Sequence, residues 1–292
     1  MSKRLKSNIF LFVAAIVWGF AFVAQCDVNI GSGYFLAARS FLGTIALIPV
    51  ILIFEKESIF NKKFLSTLKY GMITGTVLFI ASYLQQEGIN IDKVAGKAGF
   101  ITGFYSVLVP IFAFVIWRKK TSWNVWTGAV LSIAGLYFLC MTDGYTSVGI
   151  SDIYLLVGAV FWTFHILTID KFIDKVSPIK YSAVQFFTCG LIGLITGFFT
   201  EPVPTTHLLT STLWPIIYCG VFSSGVAYTC QIMGQRDADP TYAPIILSTE
   251  SVFAAIGGMI FLNEIITLRG YIGCILMFAG IVISQVTLKS NK

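Results

Sequence analysis

Residues 82–109 read SYLQQEGINIDKVAGKAGFITGFYSVLV, and residues 227–254 read AYTCQIMGQRDADPTYAPIILSTESVFA. Laid over one another at a shift of 145 residues, they open an ungapped match of Ser82–Tyr137 onto Ala227–Val282, with 12 identities in 56 pairs. Tyr83 falls on Tyr228, Gln86 on Gln231, Asp92 on Asp237 and Ser106-Val107 on Ser251-Val252. Further along, Gly128 falls on Gly273 and Ala134-Gly135 on Ala279-Gly280. At a shift of 144, Val13, Ala15, Trp18 and Phe20 meet Val157, Ala159, Trp162 and Phe164. Shared apolar composition produces scattered matches, whereas one register held across several apolar runs marks an internal repeat. The chain divides into halves at 1–145 and 146–292.

The apolar runs decide the solvent. Of 292 residues, 56% are hydrophobic and 12% charged, and the mean hydropathy is +0.82. A soluble domain carries roughly 25% charged residues, and soluble chains of this length split into domains rather than becoming more apolar. Lipid is therefore the medium for most of the chain. The basic residues sit in short clusters between apolar runs, as topology signals do, so the pI near 8.9 does not indicate nucleic acid. Cys26, Cys140, Cys189, Cys219, Cys230 and Cys274 lie in or at the ends of apolar runs without a CxxC pair, and read as small buried hydrophobes rather than metal ligands or disulfides. The first run, Asn8 to Cys26, is too long for a signal-peptide core and reads as a mature span.

A span needs roughly 20 apolar residues to cross about 30 Å of hydrocarbon. Ten stretches qualify: 8–26, 31–54, 69–89, 95–117, 123–141, 151–170, 179–200, 212–232, 240–262 and 268–289. With the N-terminus in the cytoplasm, 16 of the 20 basic residues fall inside, and Lys93, Lys97 and Arg269 fall outside, with Arg39 within the second span. That asymmetry orients both termini inward. Five spans per repeat is an odd number, so the second half begins on the opposite side and the halves are inverted. Inverted repeats suit secondary transport, because two similar halves can exchange inward-open and outward-open shapes. The expected fold is all-α, with ten transmembrane helices in two inverted five-helix repeats.

The residues themselves point to a family. Trp18-Gly19, Arg39, the run from Ala95 through Gly99, Gly103 and Tyr105 to Pro110, Ser248 to Ala255, Leu262-Asn263-Glu264, and Gly273 to Gly280 resemble the EamA branch of the drug/metabolite transporter superfamily. The resemblance covers essentially the whole chain. It departs where the family has a Gly-Glu pair after the fourth span; this chain has Trp117-Arg118-Lys119-Lys120 there. The resemblance implies a multi-pass carrier of the plasma or inner membrane, an exporter or proton-linked exchanger of a metabolite such as an amino acid or amine, acting as a monomer or homodimer. It implies no enzymatic activity, cofactor, metal or nucleic-acid partner. The partners it implies are a small solute, the bilayer, and a proton or other cation.

Charges inside a membrane cost roughly 2.5–3.5 kcal/mol each on insertion scales, so each needs a reason. Glu250, about ten residues into the ninth span, can bind a proton or a cationic solute, or can serve as a structural acid tied to a neighbouring helix. Its equivalent in the first half is Tyr105, so the repeat is broken where the charge sits. Arg39, Glu87 and Lys97 all fall toward the outer third and read as an outer polar network or gate, with Arg39 pairing Glu87; the plainer reading has Glu87 and Lys97 capping helices or snorkelling. Trp18 with Trp162, and Tyr83 with Tyr228, occupy equivalent positions expected to face one another across a central axis, and Gln86 and Gln231 lie one turn beyond the tyrosines. Such a pocket suits organic cations, although Trp and Tyr also form interfacial belts. His165 reads either as a proton relay or as a hydrogen-bonded packing residue. Gly71-x-x-x-Gly75, Gly99-x-x-x-Gly103 and Gly193-x-x-x-Gly197 mark close helix approach.

Two other classes fit less well. A channel gains its pore by oligomeric symmetry and ringed charges or carbonyls, whereas this chain has internal symmetry and sparse charge; a receptor without carrier activity belongs to the same alternative. An intramembrane enzyme needs concentrated polar chemistry, and here two histidines sit on different elements and Asp237-x-Asp239 is a lone short motif.

Overall fold

A computed structural model describes residues 3–55, 62–118, 121–140, 149–238, 243–263 and 267–285. Among them every regular element is helical. The first half runs α1 (Lys3–Cys26), α2 (Ser32–Phe54), α3 (Lys62–Asp92), α4 (Ala95–Thr102), α5 (Tyr105–Trp117) and α6 (Trp123–Cys140). The second runs α7 (Ile150–Phe172), α8 (Pro178–Thr200), α9 (Thr206–Ser211), α10 (Leu213–Ile217), a π-helical segment Tyr218–Ala227, α11 (Tyr228–Asp237), α12 (Ala243–Leu247), α13 (Glu250–Phe261) and α14 (Leu268–Gln285). Among the described residues, seven stretches are long and apolar enough to cross a membrane: α1, α2, α3, α7 with the short turn after it, α8, Leu213–Arg236 and Ala243–Phe261. Tyr105–Ile116 and Leu268–Gly280 are shorter apolar helices. Asp239, Lys119, Lys120 and Glu264, and the side chain of Cys140, lie outside what is described.

Two stretches expected to be continuous are broken. The 95–117 helix stops at Thr102 and resumes at Tyr105; the 240–262 helix stops at Leu247 and resumes at Glu250. The breaks fall at Gly103-Phe104 and Ser248-Thr249, which are equivalent at the 145-residue shift. The repeat also reaches the turns that follow. Arg118 and Asn263, equivalent again, both take left-handed backbone, with φ of 54° and 57°. Gly suits that conformation best and Asn tolerates it, so at the Trp117-Arg118 departure Arg118 takes the backbone conformation of its second-half counterpart.

Equivalent helices pack antiparallel. A Cβ on Gly135 of α6 would come within 2.5 Å of the Gly273 carbonyl oxygen on α14, and one on Gly280 within 2.6 Å of that of Gly128. Gly128 with Gly273 and Gly135 with Gly280 are the repeat pairs, so the contacts cross, as a two-fold between inverted halves requires. Close glycine approach of this kind substitutes for a hydrophobic driving force that lipid cannot supply.

The α2–α8 pair shows the same symmetry in its caps. Glu201, just after α8, accepts the first N–H groups of α2 from Gly33 (2.7 Å) and Tyr34 (3.2 Å). Glu55, just after α2, accepts those of α8 from Ile179 (2.9 Å) and Lys180 (3.0 Å). Each carboxylate satisfies orphan donors and faces the positive end of the partner helix's dipole. We expect Glu55→Ala and Glu201→Ala each to cost about 1–2 kcal/mol, read as a lowered unfolding midpoint in detergent. Unchanged midpoints in both variants would remove the caps from the stability of the fold.

Candidate functional site

A central cavity lies where the two halves meet. Trp18, Gln25, Arg39, Gln85, Thr102, Tyr105, Trp162, Ser223, Tyr228, Gln231 and Glu250 line it, with Ala21, Phe22, Ile166 and Leu247. It encloses about 40 Å³, roughly the space of two or three waters, so an organic solute would have to part its walls. A larger groove of about 560 Å³ runs beside the end of α1, bounded by Phe20, Asp27, Trp214, Tyr218 and Phe261. Its lining is mostly apolar, without converging polar groups, so the smaller cavity is the candidate site.

The helix breaks build its centre. Tyr105 and Glu250 are the first residues of α5 and α13, and the Tyr105 hydroxyl donates to Glu250 Oε1 at 3.1 Å. Two equivalent positions thus touch across the pseudo-two-fold, one a phenol and the other an acid. Glu250 sits in the first turn of its own helix, where the dipole favours negative charge. Trp18-Gly19 explains the fit from the other side: a Cβ on Gly19 would come within 2.6 Å of the Glu250 carbonyl oxygen. The missing side chain lets α1 lie against the start of α13.

Arg39 is the cavity's cation. It is 4% exposed, its guanidinium lies 5.6 Å from the Phe35 ring, and its two terminal nitrogens reach Gln25 Oε1 and Ser82 Oγ at 3.4 Å each. Its Nε is buried without a partner. The expected pairing with Glu87 does not form. Helix geometry gives the reason: Gln86 points from α3 toward α1, donating to the Gln25 carbonyl at 3.2 Å, and Glu87, the next residue, projects about 100° further round.

The aromatic expectation divides. Trp18, Trp162 and Tyr228 come together, with Tyr228 4.6 Å from the Trp18 ring and 6.2 Å from that of Trp162. Tyr83 does not join them; it is half-buried and packs on Phe79 at 5.5 Å. The π-helical segment accounts for the asymmetry. It precedes Tyr228, while the equivalent stretch 73–82 is ordinary α-helix. The wider i→i+5 winding turns less per residue, so Tyr228 is rotated relative to Tyr83.

The remaining candidates lie outside the lining. Gln86 is buried behind Gln25 and also donates to Asn90 Oδ1 at 2.9 Å. His165 packs edge-on to Trp162 and Tyr228 and meets Gln185 at 3.3 Å. Lys97 closes an ion cluster instead of snorkelling: its Nζ lies 2.6 Å from Asp92 Oδ2 and 2.7 Å from Asp152 Oδ1, joining the start of α4 to the end of α3 and the start of α7. Gln25, Gln85, Thr102 and Ser223 were not singled out by sequence. Isolated polar residues in apolar runs were the available signal.

Comparison with known proteins places the chain among transporters. The EamA-like transporter family matches twice, at residues 5–141 and 149–285. An uncharacterized transporter of Archaeoglobus fulgidus is 26% identical over 283 residues, covering 96% of this chain and 86% of that one. The uncharacterized transporter YoaV of Bacillus subtilis is 23% identical over 300 residues, covering 99% of each. A solved crystal structure shares the fold, with a TM-score of 0.78 at 15% identity and 97% of each chain covered.

Proposed function

We propose, from the premise that the chain belongs to the EamA-like transporter family, that it carries a zwitterionic or amine-bearing organic solute by alternating access between two inverted halves. The observation that carries this reading is the Tyr105–Glu250 contact at equivalent helix breaks, on the wall of a cavity that also holds Arg39. Broken helices at the meeting of inverted repeats are where secondary transporters hold solute and coupling ion. Glu250 receives the amine or a proton, Arg39 receives a carboxylate through its planar donor fork, and the indoles with Tyr228 flank the organic part. The narrowness of the cavity favours a carrier over an open channel.

Purified protein should be stabilised against heat by amino acids or amines, and saturable counterflow of the same solutes should appear in proteoliposomes. Stabilisation by uncharged nucleosides alone, or unsaturable flux, would sink the assignment.

In this reading α4 with α5 forms the fourth pass, Leu213 to Asp237 the eighth, and α12 with α13 the ninth, giving ten passes with both termini in the cytoplasm of a cell whose plasma or inner membrane it occupies. The Lys97 cluster then lies on the outer face as a gate candidate, with Glu87 nearby at the end of the third pass. Cysteine tags in 142–150 and 201–211 are expected to react with an impermeant thiol reagent from outside, and tags in 118–122 and 171–177 only from inside. Labelling of both sets from one side would refute the ten-pass arrangement.

A further inference from the structure

Gln185 is the eighth residue of α8, and Arg39 is the eighth residue of α2. Each lies about 10 Å along its helix from the first residue at 1.5 Å per residue. The reciprocal Glu55 and Glu201 caps show that these helices run antiparallel, so each residue sits about a third of the way in from an opposite end of the pair. Arg39 is the polar node toward one end. Its counterpart toward the other is built around Gln185.

That second node is buried and unsatisfied. His165, Ser182 and Gln185 are each 0% exposed and Trp162 is 8%. His165 Nε2 faces Gln185 Oε1 at 3.3 Å. The amide oxygen only accepts, so in this orientation Nε2 carries the proton and Nδ1 of the neutral ring is left as an acceptor. His165 Nδ1, Gln185 Nε2, Ser182 Oγ and Trp162 Nε1 are all buried without a partner. Leaving a buried polar atom unpaired is costly, and such atoms are ordinarily paired in native proteins. Here four of them cluster on neighbouring stretches of α7 and α8. Trp162 belongs to the cavity wall, and His165 packs edge-on against both Trp162 and Tyr228, so the node adjoins the central cavity.

We propose that His165, Ser182 and Gln185 form an inner polar subsite, the symmetry counterpart of the Arg39 node, which opens toward the cytoplasm and takes the zwitterionic end of the solute. The unpaired groups define the ligand: the Trp162 and Gln185 N–H groups donate, and His165 Nδ1 accepts. A carboxylate beside an ammonium satisfies both demands, and a water molecule satisfies them when no solute is there. The subsite rests on the carrier reading above, and its orientation on the inward placement of the start of α8. As the halves rock, the Arg39 node and the Gln185 node exchange exposure, so the solute has polar partners on both sides of the transition.

The test uses the full chain carrying Ser182→Cys, in right-side-out and inside-out membrane vesicles, with impermeant 2-(trimethylammonium)ethyl methanethiosulfonate. Modification is located by peptide mass spectrometry, so the native cysteines stay in place. We expect modification at residue 182 at least about tenfold faster in inside-out vesicles, and slowed by L-leucine more than by 3-methylbutylamine, which lacks the carboxylate. Gln185→Cys serves if the first variant does not fold. Absence of modification from the inside, or equal rates from both sides, overturns the subsite whatever solute is carried. Modification that L-leucine does not slow, in a protein that amino acids stabilise, leaves a hydrated pocket and overturns the solute role while the carrier assignment stands.

Discussion

Glu250→Gln is expected to leave the protein folded and to abolish the pH dependence of transport. The amide keeps the shape of the side chain, and its oxygen can still accept the Tyr105 hydroxyl that now lies 3.1 Å from Oε1. The titrating charge is lost. Glu250 is the acid among the residues lining the central cavity, so no neighbouring carboxylate there can replace it. An amine that bonded a carboxylate would bond a neutral amide instead. A hydrogen bond to a charged group contributes about 1.5–3 kcal/mol, so half-saturation by an amine-bearing solute should rise roughly tenfold to over a hundredfold. The measurement is uptake into proteoliposomes across a range of pH, alongside the unfolding midpoint. A normal rate with an unchanged pH profile would make Glu250 a structural acid and move the coupling elsewhere. Tyr105→Phe separates the partner's contribution: it removes the hydrogen bond, keeps the charge, and should preserve the pH dependence while shifting affinity.

What the sequence made legible follows from what repeats in it. A constant register of 145 residues is a linear property, so the two halves could be read without coordinates, as could the small residues that repeat with it. Gly128, Gly135, Gly273 and Gly280 are visible as repeat pairs, and the crossed contacts in the structure are what that pairing demands. The helix breaks left no comparable mark. Pro110 lies within α5 and Pro244 within α12, so neither proline sits at a break. The chain bends instead at Gly103-Phe104 and Ser248-Thr249, where Thr249 bonds the Ile246 carbonyl oxygen. The Glu55 and Glu201 caps were equally hidden, because an acid just past an apolar run reads as loop until a partner helix end is known to lie beside it.

Azimuth was the other missing quantity. Depth in the membrane can be counted along the chain, and by depth Arg39 and Glu87 belong together. Direction around a helix cannot be counted once the winding changes. Tyr228 follows a π-helical segment and Tyr83 does not, so equal positions in the repeat point to different places. The partners of Lys97 were hidden for another reason: Asp92 and Asp152 lie on two other helices, and Asp152 is across the boundary between the halves.

Arg39→Gln is the substitution that separates a working charge from a structural one, because the two roles predict opposite signs for stability. Arg39 is 4% exposed, its terminal nitrogens make long bonds of 3.4 Å to Gln25 and Ser82, and its Nε has no partner. Neither bond is to a carboxylate. A buried cation held by neutral partners is costly, and replacing such a charge with a neutral group that keeps the Gln25 and Ser82 contacts should leave stability unchanged or raise it. Activity should move the other way. If Arg39 receives the carboxylate of the solute, losing that charge-assisted bond weakens binding by about 1.5–3 kcal/mol, a factor of roughly ten to over a hundred. Arg39→Lys should recover part of the loss, since it restores the charge without the two-pronged geometry. The decisive comparison sets a zwitterionic amino acid against its decarboxylated amine. Arg39→Gln should weaken the first far more than the second, and Glu250→Gln should weaken both. Should Arg39→Gln lower the unfolding midpoint while leaving the ratio of the two affinities unchanged, Arg39 is a packing charge and the carboxylate finds its partner elsewhere in the cavity.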